Sequence, residues 1–409
     1  MVSIQEFFST NDQNGNGKGV VHKNNIIKRN IIAHMAIRGE CTLADLAREL
    51  NISIPTVTKL VEELVADSIV TDKGKIETSG GRRPNIFGIR NSAIYFAGVE
   101  VNRDNIQCVI TDLQNNLITS KRYPDFELED NDASLEKLCA YLEDFIDTSG
   151  VDRSKLLGVG VALPGRTNPK TGRSYKYFTS NPTALSEIIE NRLHHPVLIE
   201  NDTRAKCYGE YSKGCTEEKN VIYLNLGRGV AIGIIIDGKL YYGKSGFAGE
   251  FGHIPYFDNE IICGCGKKGC LETEVSGIAI ENKMSDQIKK GRTTILLDKF
   301  KEKERVHITD IIRAAKNDDN LSIELIEEAG EKIGKSIAFL INIFNSELVI
   351  VGGAMSNAGD YVMLPLKSAV NKYSLSLVYN DTKFRTTNFD ENIGAVGAAM
   401  LIRNKIIGI

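Results

Sequence analysis

The chain has 409 residues, of which 42% are hydrophobic and 25% charged, an ordinary globular composition that excludes wholesale disorder. At roughly 100–200 residues per domain, the length predicts several domains. Lys+Arg is 50 and Asp+Glu is 53, so the net charge is −3. This rules out a polybasic binder but not a small DNA-reading domain within a larger acidic chain.

No apolar run reaches the roughly 18 residues needed to span a bilayer. The opening MVSIQEFFST also lacks the basic and apolar regions of an export signal. Five of the cysteines are scattered (Cys41, Cys108, Cys139, Cys207, Cys215), whereas Cys263, Cys265 and Cys270 crowd together. Scattered thiols without an export signal point to the cytoplasm, and a crowded trio points to a metal site.

In chain order, residues 1–22 read as a flexible leader, because 11–19 is the polar stretch NDQNGNGKG. From about Asn24 to Arg38, Ile27, Ile31, Ala33, Met35 and Ile37 predict a helix that Gly39 stops. Thr42 can cap a second helix with an apolar face of Leu43, Leu46, Ala47 and Leu50. Ser53 can cap a third, with Pro55 in its first turn and a buried stripe of Val57, Leu60, Val61 and Leu64. Two short helices joined by a tight turn behind a longer one form a helix-turn-helix. The stretch from Ser68 to Ile89 reads as two strands about a Lys73-Gly74 turn, a wing that closes a DNA-binding domain over residues 23–90.

By elimination, the third helix presents Thr56, Lys59 and Glu63, with Ser53 and Thr58 at its margins. Ser53, Thr56, Thr58 and Lys59 suit phosphate and base-edge contacts in a major groove. Gly81-Arg82-Arg83-Pro84 is a thin cationic finger that fits a narrow A·T-rich minor groove.

From about residue 91 to 409 the texture is α/β. Three strand-like runs (AIYFAGVEV, NIQCVITDL, LITSKRY) precede a helix, the strand LLGVGVALPG, another helix and the strand PVLIEND. The order begins again at Asn220 with VIYLNLG, VAIGIIIDG and KLYYG, then helices and the strand ELVIVGG. Two such rounds predict a duplicated α/β lobe with a ligand cleft.

Three features of this region could carry chemistry. The spacing His253-x9-Cys263-x-Cys265-x4-Cys270 supplies three thiolates and one imidazole, the ligand set of a closed, structural zinc site. Glu200, Asn201 and Asp202 end a strand, where α/β proteins place ligand contacts, and Glu250 and Glu272 flank the metal segment. The glycine loops at 226–233 and 351–354 each follow a strand and are either phosphate cradles or tight turns.

Together these residues resemble the ROK family, which holds sugar-responsive repressors and sugar kinases. The most specific piece is GEFGHIPYFDNEIICGCGKKGCLETEVSG at 249–277, which resembles the family's signature and zinc segment. The resemblance implies an actin-like, ribonuclease H-like two-lobed fold with sugar contacts at Asn201, Asp202, Glu250, His253 and Glu272. It would make Asp202 the counterpart of the kinases' catalytic base. A winged helix-turn-helix ending in GRRP resembles the repressor branch, including regulators of N-acetylglucosamine and xylose use.

Family kinases receive ATP phosphates on an Asp-x-Gly-Gly-Thr type loop, where this chain has Glu100-Val101-Asn102-Arg103-Asp104. Their second loop, Gly-Thr-Gly followed by more glycine, is replaced here by Gly227-Arg228-Gly229-Val230-Ala231-Ile232, and the chain has no Trp. The nucleotide half therefore reads as dismantled and Asp202 as a sugar acceptor. The expectation is a zinc-containing repressor that is not an enzyme, a homodimer or a pair of dimers on a palindromic A·T-rich operator. A sugar or sugar phosphate would release it. The rivals are an ATP-dependent sugar kinase with a DNA-binding head and an effector-free activator.

Overall fold

The computed structural model describes residues 19–75, 84–215, 217–303, 305–389 and 391–409. The chain divides into two compact units, one running to Ala205 and taking in Glu391–Ile409, the other Lys206–Asp390. Among the described residues, no helix is long and apolar enough to cross a membrane.

The first unit opens with the three expected helices. Helix α1 is Val20–Arg38, so its first turn takes in residues placed in the leader, and Gly39 ends it with φ of 81°. Its buried side chains are Ile31, Ile32 and Met35, while Ile37 faces solvent, one position out of the expected stripe. Helix α2, Leu43–Glu49, starts at Thr42, whose hydroxyl accepts from the Asp45 amide while Asp45 reaches back to the Thr42 amide. That reciprocal cap satisfies two amide donors that the first turn leaves open. Helix α3, Ile54–Ala66, is capped by Ser53 and buries the four expected residues, Val57, Leu60, Val61 and Leu64. Lys28 on α1 pairs with Glu63 on α3 at 2.8 Å.

The wing differs from expectation. Strand β2 is Val70–Lys75 and pairs antiparallel with β3, Asn85–Ile89. Lys73 and Gly74 lie inside β2, where the register slips between Asp72 and Lys75. Gly74 has φ of 88°, so its freedom is used for a bulge within the strand and not for the turn. A two-residue strand β1, Cys41–Thr42, adds to β3 and ties the start of α2 to the wing.

The rest of this unit is a five-stranded sheet: β4 Tyr95–Val101, β5 Ile106–Asp112, β6 Leu117–Tyr123, β7 Leu156–Leu163 and β8 Val197–Asn201. Across the sheet they run β6-β5-β4-β7-β8, the first three antiparallel and the last three parallel. Helices α4, Asp132–Thr148, and α5, Leu185–Leu193, bury Leu138, Leu142, Phe145 and Ile189 against it. The last helix of the chain returns to the sheet so closely that a Cβ at Gly98 or Gly160 would stand 1.9 or 2.0 Å from the Ala395 or Ala398 carbonyl oxygen. Only glycine permits that approach.

Helix α6, Asp202–Gly214, follows β8. In the second unit, β9 Val221–Leu226, β10 Val230–Ile236, β11 Lys239–Leu240, β12 Leu348–Gly352 and β13 Lys383–Thr386 lie in the order β11-β10-β9-β12-β13. Again the first three are antiparallel and the last three parallel. The two sheets thus share one strand order, and the expected duplication is real. Helices α7 Gly277–Lys289, α8 Leu297–Lys303, α9 Ile308–Ala315, α10 Asn320–Phe344, α11 Asp360–Tyr373 and α12 Ser376–Asp381 occupy this unit. The chain ends in α13, Ile393–Ile407, the helix seated on Gly98 and Gly160.

His195, just before β8, is buried. Burial, helped by nearby Arg153, pushes its imidazole down to about 4 from 6.5. The folded state therefore holds it neutral while the unfolded chain takes up a proton below about pH 6.5. This contribution is fully present above that pH and is lost as the pH falls towards 4. Urea unfolding should show the protein losing about 2 kcal/mol more than His195→Gln between pH 7.5 and pH 5. Equal losses would show that the imidazole is not held neutral.

Candidate functional site

The metal segment is built onto β10. Gly249, with φ of 96°, brings the chain so near that a Cβ would lie 2.0 Å from the Ile232 carbonyl oxygen, which forces glycine there. The Ile232 amide donates to the Gly249 carbonyl at 3.0 Å. Glu250 and His253 are thereby fixed beside the start of β10. Beyond Pro255 the chain loops out and returns, with Pro255 bridging to Cys270 and Ile262 to Lys268.

His253, Cys263, Cys265 and Cys270 converge, with all four ligand atoms within 4.8 Å of one another. The Cys263 sulfur is 3.4 Å from His253 Nδ1, and the Cys265 and Cys270 sulfurs are 3.6 Å apart. Tetrahedral zinc with ordinary Zn–S and Zn–N bonds needs ligand atoms about 3.5–3.8 Å apart, so donors and spacing fit that ion. Burial raises the Cys263 thiol to about 12. Burial also acts on Cys265, but the Lys267 amide and the neighbouring thiols outweigh it and hold that thiol below its ordinary value. A cation would complete the deprotonation and release protons as it bound.

His253 Nε2 points the other way and lies 3.8 Å from Glu250 Oε2. The two roles read for His253 therefore fall on different nitrogens. Glu272 opens a one-turn helix, Glu272–Val275, and its Oε2 accepts from the Val230 amide at 3.0 Å. Its other oxygen is 3.9 Å from the Cys263 sulfur. Glu250, His253 and Glu272 thus gather around the start of β10 in the second unit.

Asn201 and Asp202 belong to the first unit, at the end of β8 and the start of α6. The Asn201 side-chain amide donates to the Gly165 carbonyl at 3.0 Å and to Asp202 Oδ1 at 2.9 Å, and its oxygen accepts from the Arg204 amide. Asp202 is half-buried. Glu200 turns inward, fully buried, and takes a 2.7 Å bond from Arg204 Nε. It is a packing carboxylate.

Both loops compared with phosphate cradles spend backbone amides internally. At the β4–β5 turn, the Asn102 amide donates to the Asn105 carbonyl at 2.9 Å. The Asn102 and Asn105 side chains bond at 3.1 Å, and Asn105 donates to Asp104 at 2.7 Å. This is a self-closed hairpin turn. In the second loop, the Gly227 amide donates to the Gly229 carbonyl and the Val230 amide is taken by Glu272.

On the DNA-binding head, Lys59 and Ser53 are exposed, and Thr56 and Thr58 are half-buried. The Ser53 and Thr56 hydroxyls bond each other at 2.8 Å, and Thr58 donates to the Ile54 carbonyl of its own helix. Lys59 is therefore the least encumbered of the four. Arg82 and Arg83 lie outside the described residues.

Sequence reasoning missed Glu274. Its carboxylate takes 2.8 and 2.9 Å contacts from Lys283 and Lys332 and a 2.8 Å bond from Asn259. Burial alone would raise its pKa, but the two ammonium groups hold it below the usual carboxylate range. It pins the metal segment to α7 and α10. Partners so distant in sequence leave no local signal.

A winged helix-turn-helix followed by a duplicated α/β domain with a Cys3His cluster defines a DNA-binding regulator built on a sugar-kinase scaffold. The sequence model of the ROK family matches residues 96–405, and a winged helix-turn-helix DNA-binding model matches residues 24–71. The chain belongs to the ROK family. It is 28% identical over 368 residues to the xylose repressor of Caldicellulosiruptor bescii, covering 87% of this chain and 90% of that protein. A solved ROK family transcriptional regulator, a homologue of the E. coli MLC protein, superposes with a TM-score of 0.79 at 25% identity over 94% of this chain and 97% of that one. A ROK family glucokinase from Streptomyces griseus, solved with glucose and AMPPNP, gives a TM-score of 0.66 at 25% identity, covering 75% of this chain and 98% of that one.

Elemental analysis of the purified protein should find one zinc ion per chain, and Cys263→Ser should remove it. Full metal content in the variant would show that these four residues are not the ligand set.

Proposed function

We propose that this protein is a transcriptional repressor that binds operator DNA through its winged helix-turn-helix and leaves it when a sugar or sugar phosphate binds. The observation that carries this reading is the pairing of a DNA-binding head with a Glu250–His253–Glu272 cluster on a scaffold whose phosphate loops are closed. If Nδ1 of His253 faces the metal, Nε2 carries the proton. A sugar hydroxyl between His253 and Glu250 would accept from Nε2 and donate to the carboxylate, each within hydrogen-bond reach. Asn201 and Asp202 are also proposed as sugar-binding residues, with Asp202 an acceptor and not a working base.

The zinc would be structural. Four protein ligands leave no open position, and the ion would supply only a fixed frame for His253 and Glu272. On this reading the protein is a cytoplasmic homodimer; its operator is palindromic because two identical heads read it, and A·T-rich because the Arg82–Arg83 finger suits a narrow minor groove. Recognition would fall on α3, through Ser53, Thr56, Thr58 and Lys59, and on Arg82 and Arg83. A sugar that prefers the released state a hundredfold supplies roughly 2.7 kcal/mol, enough for a usable switch. The kinase alternative is disfavoured by the self-closed turn at Asn102–Asn105, which turns an amide inward where phosphate would need it.

Two variants separate the DNA and sugar functions. Glu250→Gln should keep operator affinity while needing at least tenfold more sugar for release in a fluorescence-anisotropy titration. Release at the unchanged concentration would remove Glu250 from the pocket. Arg82→Ala with Arg83→Ala should weaken operator binding and lower the slope of log affinity against log salt by about 2. An unchanged slope would mean that neither arginine touches DNA.

A further inference from the structure

Helix α3 carries an apolar tip that the polar contacts proposed for it do not use. Ile54, its first residue, is 54% exposed, and Pro55 beside it is exposed as well. Both precede the buried stripe that begins at Val57. Helical side chains lean towards the amino end, so these two reach ahead of the helix and away from the core behind it. A single exposed isoleucine is ordinary on a protein surface. This one stands at the leading end of the helix proposed to enter the major groove, and such helices meet base edges with their amino-terminal residues.

The polar groups at this tip are spent on the helix itself. Pro55 has no amide hydrogen. The Thr56 amide donates to the Ser53 hydroxyl at 3.4 Å. The Ser53 and Thr56 hydroxyls share a bond of 2.8 Å, and the Thr58 hydroxyl donates to the Ile54 carbonyl at 2.9 Å. The tip therefore lacks the row of open amides with which a helix start takes a phosphate. Further along, the helix turns acidic: Glu62 is exposed, and Glu63 is drawn to α1 by Lys28 at 2.8 Å. On the first two turns Ile54, Pro55, Thr58 and Lys59 share one side of the helix, at i, i+1, i+4 and i+5, with no carboxylate among them. That side offers hydrocarbon with a single ammonium at its edge.

The major groove holds one apolar group, the C5-methyl of thymine, which tells thymine from cytosine at a pyrimidine position. We propose that Ile54, flanked by Pro55, reads a thymine methyl in each operator half-site. Thymine is selected there by burial of hydrocarbon and not by a hydrogen bond. The assignment rests on the operator-binding reading and adds a base that the helix selects. Removing one buried methyl should cost about fourfold in affinity.

The test uses the full chain and an operator recovered from random duplex DNA by repeated selection for binding. Each thymine of that operator is replaced in turn by deoxyuridine, which pairs identically and lacks only the methyl. In fluorescence anisotropy, replacing one particular thymine per half-site should cost the wild type about fourfold per methyl. Ile54→Ala should bind the thymine operator more weakly and lose nothing further with deoxyuridine at that position. Lys59→Ala should keep the methyl sensitivity while lowering the slope of log affinity against log salt by about 1, a change that Ile54→Ala should not make. Thermal melting of Ile54→Ala followed by circular dichroism should match the wild type, which guards against a folding defect. A wild type indifferent to every deoxyuridine, or an Ile54→Ala variant as sensitive as the wild type, overturns the proposal while leaving operator binding standing. Failure of the selection to enrich any sequence overturns the operator reading and this assignment together.

Discussion

An imidazole has two nitrogens, and in this protein they face different tasks. His253 turns Nδ1 to the Cys263 sulfur at 3.4 Å and Nε2 to Glu250 at 3.8 Å. A metal on one nitrogen fixes both the tautomer and the plane of the ring, so the other nitrogen becomes a donor with a set direction. Glu272 repeats the arrangement, reaching the Val230 amide with one oxygen and the Cys263 sulfur with the other. The metal cluster and the candidate sugar contacts therefore form one frame. Glu274 bolts that frame to two helices through Lys283 and Lys332.

The backbone amides of two loops, at Asn102 and at Gly227–Val230, are bonded within the chain. A cradle for phosphate needs amides free to point at the ligand. Here the Asn102 amide closes its own turn and the Val230 amide is satisfied by the Glu272 carboxylate. The scaffold is shared, since both sheets keep the same strand order and the match covers 98% of the solved glucokinase.

Much of this was legible in the sequence where the signal is local. The caps at Thr42 and Ser53 and the stripe of Val57, Leu60, Val61 and Leu64 are set within a few residues, and they stand as read. The four candidate metal ligands were legible because their types and spacing leave few other uses, and the structure brings all four together. Long-range pairing was not. Strand β1 exists only because β3 lies beside it, and β13 only because β12 does. Gly74 was read as a turn because bulge and turn ask the same of glycine, and only the partner strand tells them apart. Asn201 was legible as a strand end, but not the hydrogen bonds to Gly165 and Asp202 that set its side chain.

Isothermal titration calorimetry tests the central claim most directly, with the whole protein titrated in parallel with free sugars, their phosphates and magnesium–ATP. The account predicts saturable heat from at least one sugar or sugar phosphate and none from the nucleotide. Stoichiometric ATP binding that strengthens when sugar is present, with ADP released, would contradict it.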